Sequence, residues 1–242
     1  MLETAIALAL GHLVGDFLLQ ADWMVRDKSK LHVLAIHVGV VLACTWVALG
    51  FAPAPLLLLL IYLAHIAIDT CKLRFGGHGL GPFVADQAAH FATIALGAAL
   101  FPAAYGSGLW GLLADGRLAE PIARLPAGMA IACGFIGCIW AGDYAVRALM
   151  SDLPQPDPAS LPKGGRLIGR LERAMILMLV LAGRVEGIGF LIAAKSVLRF
   201  NELARDDDRR VSEYVIIGTL ASFAWGLGAA FLARLALGAL GP

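Results

Sequence analysis

Charged residues are scarce in this chain. Asp, Glu, Lys and Arg make up 15% of its 242 residues, whereas 60% of the residues are hydrophobic. A soluble domain is roughly half apolar and a quarter charged, so this composition excludes an ordinary water-soluble domain. The apolar residues form continuous runs of about 20 residues, the length that a helix needs to cross a bilayer core.

Several other features are missing. The net charge is +1 without any basic tract, which argues against a nucleic-acid partner. The four cysteines show no metal-finger spacing, so we interpret them as packing residues and not as disulfides or zinc ligands. The apolar runs do not alternate with period two, which excludes a transmembrane β-barrel. Because residues 1–19 lack a basic segment and a cleavage site of small residues, we expect them to be retained as a helix.

These observations predict an all-α fold, a polytopic transmembrane helical bundle of about six to eight membrane helices. The predicted organisation is a four-helix, His/Asp-rich membrane core at 1–103, an extracytoplasmic loop at 104–125, a fifth membrane helix at 126–150, a Pro-rich cytoplasmic linker at 151–165, and a C-terminal part at 166–242 that holds a helical hairpin, a charged loop and a last membrane helix.

The segment 167–199 decides the topology. One straight span would place Arg184 and Glu186 at the middle of the bilayer, whereas a hairpin would place them at its turn. With the N-terminus outside and a hairpin at 167–199, most of the 19 basic residues face the cytoplasm, as the positive-inside rule favours. The sequence therefore predicts a hairpin at 167–199 that begins and ends on the cytoplasmic side.

Three of the first four predicted membrane helices carry a histidine and an aspartate four residues apart. The pairs are His12/Asp16, His65/Asp69 and Asp86/His90. The order is reversed in the last pair because that helix runs in the opposite direction, so each aspartate lies nearer the cytoplasm than its histidine. Residues four apart share one face of a helix. The second helix adds His37 at a similar depth, and Gln20 is close enough in sequence to reach the same group.

Ionisable groups in hydrocarbon are costly, by about 2.5–3.5 kcal/mol for an aspartate on insertion scales. A divalent metal ion would neutralise such a cluster, and imidazole and carboxylate ligands suit Zn, Fe or Mn. We predict His12, His37, His65, Asp69 and His90 as metal ligands, and Asp16 and Asp86 as catalytic residues that act as general base or orient a ligand. A structural polar network and an ion or proton path remain alternatives.

The stretches GHLVGDFLLQADWMVRDKSK, LAHIAIDTCK and FVADQAAHF, with His37 between the first two, resemble a family of bacterial inner-membrane proteins, the domain-of-unknown-function family 3307. The resemblance covers roughly the first 100 residues. Later stretches, including IAAKSVLRFNE, are similar to the C-terminal extension of longer members. The resemblance implies a location in the inner (cytoplasmic) membrane of a bacterium and no particular activity.

Three functions remain open at this point. The first is a metal-dependent hydrolase of a lipid or lipid-linked substrate, in which Lys195 and Arg199 bind the anionic headgroup and membrane lipid is the partner. The second is a transporter or ion-conducting protein that uses the same cluster. The third is a non-catalytic membrane scaffold, which predicts that the polar residues do not form one site.

Overall fold

The structure, a computed structural model, describes residues 1–77, 79–114, 118–151, 153, 164–203 and 209–241. Every regular element within these residues is helical, as predicted. They fall into two units, which are described separately. The first holds the described residues of 1–77, 81–136 and 235–242, and the second holds those of 78–80 and 137–234.

The first unit is built around its N-terminal helix. Its elements are α1 (Leu2–Leu13), a π-helical turn that continues α1 (Val14–Leu18), α2 (Asp22–Asp27), α3 (Leu31–Ala48), α4 (Pro55–Phe75), α5 (Leu80–Leu100, from Gly81 onward), α6 (Leu109–Leu113), α7 (Ala119–Ala123) and α8 (Leu125–Ile136). Helix α1 packs against α3 and α8, and α3 packs against α4. The apolar core of the unit includes Leu8, Leu49, Leu57 and Ile94.

Two glycines allow α1 to approach α3 closely. A Cβ atom on Gly11 would lie 2.4 Å from the Cα of Thr45, and one on Gly15 would lie 2.6 Å from the Cγ2 of Val41. Neither position has room for a side chain. The spacing Gly-x-x-x-Gly is typical of membrane helices whose backbones approach closely. Gly11 and Gly15 directly precede His12 and Asp16, so this contact also brings these two side chains toward α3.

Helix α4 places its ionisable residues in the interior of the first unit and exposes apolar residues on its other face. On α4 the buried stripe ends in His65 and Asp69, which are 3% and 2% exposed. Leu59 and Leu63 on the opposite face are 51% and 55% exposed. A water-soluble helix has the reverse arrangement. The inversion agrees with a surface that contacts lipid.

The second unit consists of a second π-helical turn (Gly137–Ala141), α9 (Gly142–Met150), α10 (Gly164–Leu181), α11 (Glu186–Leu203) and α12 (Arg209–Leu240, up to Arg234). Its apolar core includes Cys138, Ile176, Leu177 and Phe223. Helices α10 and α11 run antiparallel, because Leu179 contacts Gly187 and Glu172 pairs with Lys195. The turn between them contains Gly183 with φ +68°, a backbone conformation that favours glycine. A helical hairpin is therefore present at 167–199.

Within the described residues, five helical stretches are long and apolar enough to cross a membrane, so the chain is a multi-span membrane protein. They are Leu31–Ala48, Pro55–Phe75, Leu80–Leu100, Ala119–Met150 and Ser212–Leu240. Helix α1 is not among them because its 12 α-helical and five π-helical residues are too few. Helices α10 and α11 are 18 residues long, but each carries several charges. The predicted linker at 151–165 lies mostly outside the described residues, as do residues 115–117 of the predicted loop at 104–125.

Candidate metal centre

A buried cluster of histidines and aspartates lies inside the first unit. It contains all seven of the predicted residues, each at most 8% exposed: His12, Asp16, His37, His65, Asp69, Asp86 and His90. The four imidazoles form a continuous series, with ring centroids 5.3 Å apart for His37 and His65, 4.3 Å for His65 and His90, and 4.7 Å for His90 and His12. The scaffold hypothesis had predicted that these residues would not form one site, and the structure places them together.

Four ligand-type atoms converge at the centre of the cluster. The Nε2 atoms of His37 and His65 are 3.3 Å apart. Asp16 Oδ1 lies 3.4 Å from the first of these nitrogens and 3.5 Å from the second. Asp69 Oδ2 lies 3.6 Å and 3.5 Å from the same two atoms. Asp16 lies in the π-helical turn and His37 lies on α3. His65 and Asp69 lie on two successive turns of α4.

Three of these atoms have separations that suit a metal ion. Zn–N and Zn–O bonds of about 2.0–2.1 Å place neighbouring ligand atoms of a tetrahedron about 3.3–3.4 Å apart. The three contacts among Asp16 Oδ1, His37 Nε2 and His65 Nε2 span 3.3–3.5 Å, and these residues form a triad that could hold a metal ion. Two further triads have ligand atoms within 4.8 Å of one another, namely His12/His65/His90 and Asp69/Asp86/His90.

Hydrogen bonds orient two of the other imidazoles. His90 donates its Nδ1–H to the backbone oxygen of Asp86 at 2.9 Å, which leaves the lone pair on Nε2. His12 donates its Nε2–H to Gln87 Oε1 at 3.3 Å, which leaves the lone pair on Nδ1. Both remaining nitrogens are buried and have no hydrogen-bond partner. A histidine that donates one ring N–H and directs the other nitrogen into a buried site is typical of metal ligands.

Two lysines that were not among the predicted site residues contact the cluster. Lys28 Nζ lies 2.9 Å from Asp69 Oδ2, and Lys72 Nζ donates to Asp86 Oδ2 at 2.7 Å. Gln87 also donates to Asp86 Oδ2, at 3.0 Å. Lys72 follows His65 and Asp69 at helical spacing on α4, so its position in the sequence carried a signal. No local pattern connects Lys28 with Asp69.

Gln20 reaches the cluster, as predicted. Its Nε2 lies 3.3 Å from His37 Nδ1 and 3.4 Å from His37 Nε2. The side-chain amide of Gln20 therefore contacts the edge of the His37 ring without fixing which ring nitrogen carries the proton.

The π-helical turn Val14–Leu18 contains Asp16. Such turns are rare, and they occur frequently at functional sites because the extra residue changes the direction of the side chains that follow. His12 lies before the turn and Gln20 lies after it. The turn thus allows residues from both ends of one continuous segment to reach the same cluster.

The residues predicted to bind a headgroup lie in the second unit. Lys195 Nζ donates to Glu172 Oε2 at 2.5 Å, and both side chains are largely buried. Arg199 lies on α11, but its side chain is outside the described residues. The roles predicted for both residues stay predictions.

The second unit contains a buried charge network of its own. Arg173, 2% exposed, donates to the backbone oxygens of Cys138 and Ile139, to Ser222 Oγ and to Asp143 Oδ1. The two carbonyl groups belong to the π-helical turn Gly137–Ala141, where the altered backbone makes them available. Arg173 and Asp143 were not among the predicted site residues, and 30 positions separate them in the chain.

Comparisons with known proteins identify the first part of the chain. Residues 4–105 match the family described as Protein of unknown function (DUF3307). No curated protein and no solved structure matches the chain. The matched segment contains the whole His/Asp cluster. The chain therefore carries a DUF3307 region at residues 4–105, as the motifs indicated, followed by an additional C-terminal region.

Proposed function

We propose that this membrane protein binds a divalent metal ion in its first unit, with Asp16, His37 and His65 as ligands and Asp69 as the fourth. The mutual approach of the ligand atoms of Asp16, His37 and His65 to 3.3–3.5 Å carries the proposal, and Asp69 Oδ2 lies 3.6 Å and 3.5 Å from the two imidazole nitrogens. Imidazole and carboxylate donors suit Zn, Fe or Mn. Asp69 is the weakest of the four ligands, because Lys28 competes for the same oxygen.

The charge of the cluster supports a cation. Lys28 and Lys72 pair with Asp69 and Asp86, whereas Asp16 contacts only histidines among the described residues. Neutral imidazoles add no charge, so one buried carboxylate lacks a counterion. A divalent ion supplies it. The structural alternative is that an imidazole takes a proton instead, and this alternative predicts a protein without bound metal.

We place the protein in the inner membrane of a bacterium, with the cluster in the cytoplasmic leaflet. The five apolar stretches support a multi-span topology. We propose that α1 with its π-helical turn crosses as a sixth span, because α1 packs against α3 and α8. We propose that the legs of the hairpin, α10 and α11, also enter the membrane, since Ile168, Leu171 and Phe190 on them are exposed.

We further propose that the metal ion serves the hydrolysis of a lipid or lipid-linked phosphate or ester. A bound divalent ion lowers the pKa of water to about 7. Asp86 Oδ1 and His90 Nε2 lie outside the central set of four and have no hydrogen-bond partner, so either can accept a proton. Leu63 on α4 and Phe91 on α5 are exposed. Membrane lipid would contact these two residues, so we propose a lipid or lipid-linked molecule as the substrate. A headgroup role for Lys195 requires that its pair with Glu172 opens.

Metal analysis tests the first step. The protein is purified without chelator, supplied with Zn, Fe and Mn in turn, desalted and measured by plasma mass spectrometry. We expect at least one ion per chain in the wild type and a loss of metal in His37→Ala and His65→Ala. His32→Ala is the matched control, because His32 lies on α3 with His37 but is exposed. A metal-free wild type, or equal metal content in His32→Ala and His37→Ala, would refute the metal centre.

The hydrolytic step needs a separate measurement. The metal-loaded protein is reconstituted into bilayers of bacterial lipid, and released headgroups or acyl chains are identified by mass spectrometry. We expect products from the wild type and at least a hundredfold less from Asp86→Asn, the size of effect typical of a lost general base. Metal-loaded protein that releases no product but carries metal ions across the bilayer would favour the transporter instead.

A further inference from the structure

Three arginines of the second unit share one carboxylate. Arg166, Arg170 and Arg173 lie on one face of α10, because they are spaced by four and three residues. Arg166 Nε and Arg170 Nε both donate to Asp143 Oδ2, at 2.8 Å and 2.5 Å, and Arg173 takes the other oxygen. Asp143 is the one carboxylate within ion-pair distance of these arginines among the described residues.

The outer two arginines differ from the inner one. Arg173 is buried and directs its guanidinium toward backbone and side-chain acceptors. The side chains of Arg166 and Arg170 are 40% and 30% exposed, and in the described part of the chain they bind only through Nε. Within these described residues, their terminal Nη groups donate to no acceptor. Two adjacent guanidinium groups repel each other, and half of one buried carboxylate does not balance them.

The surroundings favour an anion at this place. Arg166 lies in the first turn of α10, which contains no acidic residue. A helix N-terminus is the positive end of the helix dipole, so a cation there is unfavourable and an anion is favourable. Leu167 and Leu171, which flank the arginines on α10, are 59% and 56% exposed. Exposed leucines beside exposed arginines are typical of a helix at the boundary between lipid chains and headgroups.

We propose that Arg166 and Arg170 form a binding site for a phosphate group, which a lipid headgroup or free phosphate can supply. The planar guanidinium presents paired N–H donors that match two oxygens of a phosphate. Asp143 holds the two side chains next to each other through their Nε atoms, and Arg173 holds Asp143. Trp140 lies beside the site, with its ring centroid 6.0 Å from Arg170 Cζ, and its fluorescence can report binding.

The test uses the full-length protein. One arm titrates inorganic phosphate in an uncharged detergent, and the other compares nanodiscs of phosphatidylcholine with nanodiscs that also contain phosphatidylglycerol. Tryptophan fluorescence reports binding in both. We expect the double variant Arg166→Gln/Arg170→Gln to bind roughly 30-fold more weakly than the wild type, since each basic residue near an anionic surface contributes about fivefold. Saturation by inorganic phosphate identifies free phosphate as a ligand, and a response only to phosphatidylglycerol identifies the lipid.

Two further variants keep the result interpretable. Arg124→Gln/Arg184→Gln removes the same charge from exposed positions outside the site and should bind like the wild type. Arg166→Lys/Arg170→Lys keeps the charge but loses the paired donors, and it should bind about fivefold more weakly. If the glutamine or the lysine variant binds as tightly as the wild type, or if the wild type responds to neither probe, the site does not exist.

Discussion

Each unit of this protein contains a buried group of charges beside a π-helical turn, but the two groups are completed in different ways. In the second unit, Arg173 donates to four acceptors, and Asp143 accepts from three arginines. In the first unit, buried atoms of His12, Asp16, Asp86 and His90 have no hydrogen-bond partner. Among the described residues, the buried side-chain atoms without a partner all belong to the first unit.

The difference separates a structural network from a binding site. A fully hydrogen-bonded network fixes the packing of the helices that contribute to it. A group of acceptors that face one another without enough protons is unfavourable by itself, and a bound cation removes the conflict. The contacts of Arg173 itself are those of a structural network, whereas the His/Asp cluster could hold a metal ion, as proposed above. Three substitutions can break or sharpen this contrast.

The largest effect is expected at the structural network. Arg173→Met removes a donor from the carbonyl groups of Cys138 and Ile139 and one partner from Asp143. Breaking a buried ion pair in this way lowers the free energy of unfolding by about 3–5 kcal/mol. Denaturation in mixed micelles measures the change. Metal content per folded chain should stay at the wild-type level.

Arg234→Met is the control for this substitution. Arg234 also lies on a helix of the second unit, but it is exposed and makes a single long contact, 3.4 Å, with the backbone oxygen of Val180. Its replacement should change the free energy of unfolding by less than about 0.5 kcal/mol. Equal stability of the two variants would show that the Arg173 network does not hold the second unit together.

An intermediate effect is expected where α1 meets α3. The Cβ of Gly15→Ala would lie 2.6 Å from the Cγ2 of Val41, so the two helices must separate. Overpacking of this kind costs about 1–3 kcal/mol. Separation also moves Asp16 away from His37, and we expect metal affinity to fall about tenfold or more. Isothermal titration with zinc measures the affinity.

Gly39→Ala is the matched control on α3, because a Cβ at Gly39 has no neighbour within 4 Å. This variant should keep both its stability and its metal affinity. If Gly15→Ala binds zinc as tightly as Gly39→Ala, the close approach of α1 and α3 has no part in forming the metal site.

The smallest effect is expected for Asp16→Asn, whose change in the free energy of unfolding should have opposite signs in the metal-free and the zinc-bound protein. Asp16→Asn removes a buried carboxylate that contacts only histidines among the described residues. In chelated protein at about pH 8, where histidine is ordinarily neutral, this should raise the free energy of unfolding by about 1 kcal/mol, since functional sites are often placed at a cost in stability. With zinc present, the same variant should be less stable than the wild type. Loss of stability in both states would mean that Asp16 is structural.

Much of the first unit could be predicted from helical periodicity and helix direction. The pairs His65/Asp69 and Asp86/His90 lie four residues apart on long apolar runs, so their shared face and depth followed from helix geometry alone. The spacing of Gly11 and Gly15 carried a further signal, because it is typical of close helix contacts. The hairpin followed from the charge on Arg184 and Glu186, which favours a turn over the middle of a span.

Other features depend on contacts that no local pattern encodes. Arg173 and Asp143 are 30 residues apart and lie on different helices, so their pairing depends on tertiary packing. The flexible side chain of Lys28 reaches Asp69 from a loop, 41 positions before it in the chain, so no helical spacing connects the two residues. The π-helical turns depend on a change of backbone hydrogen bonding that residue types do not specify.

The π-helical turn at Val14–Leu18 makes the site sensitive to chain length. Compared with an α-helix, it holds one extra residue, and a residue of α-helix turns the chain by about 100°. A deletion of one residue here would restore a regular helix and leave the apolar surface continuous. It would also rotate His12 relative to Gln20 by that angle, so the two could no longer face the same cluster. A related chain that lacks one of these five residues would therefore be expected to keep the fold and lose the site.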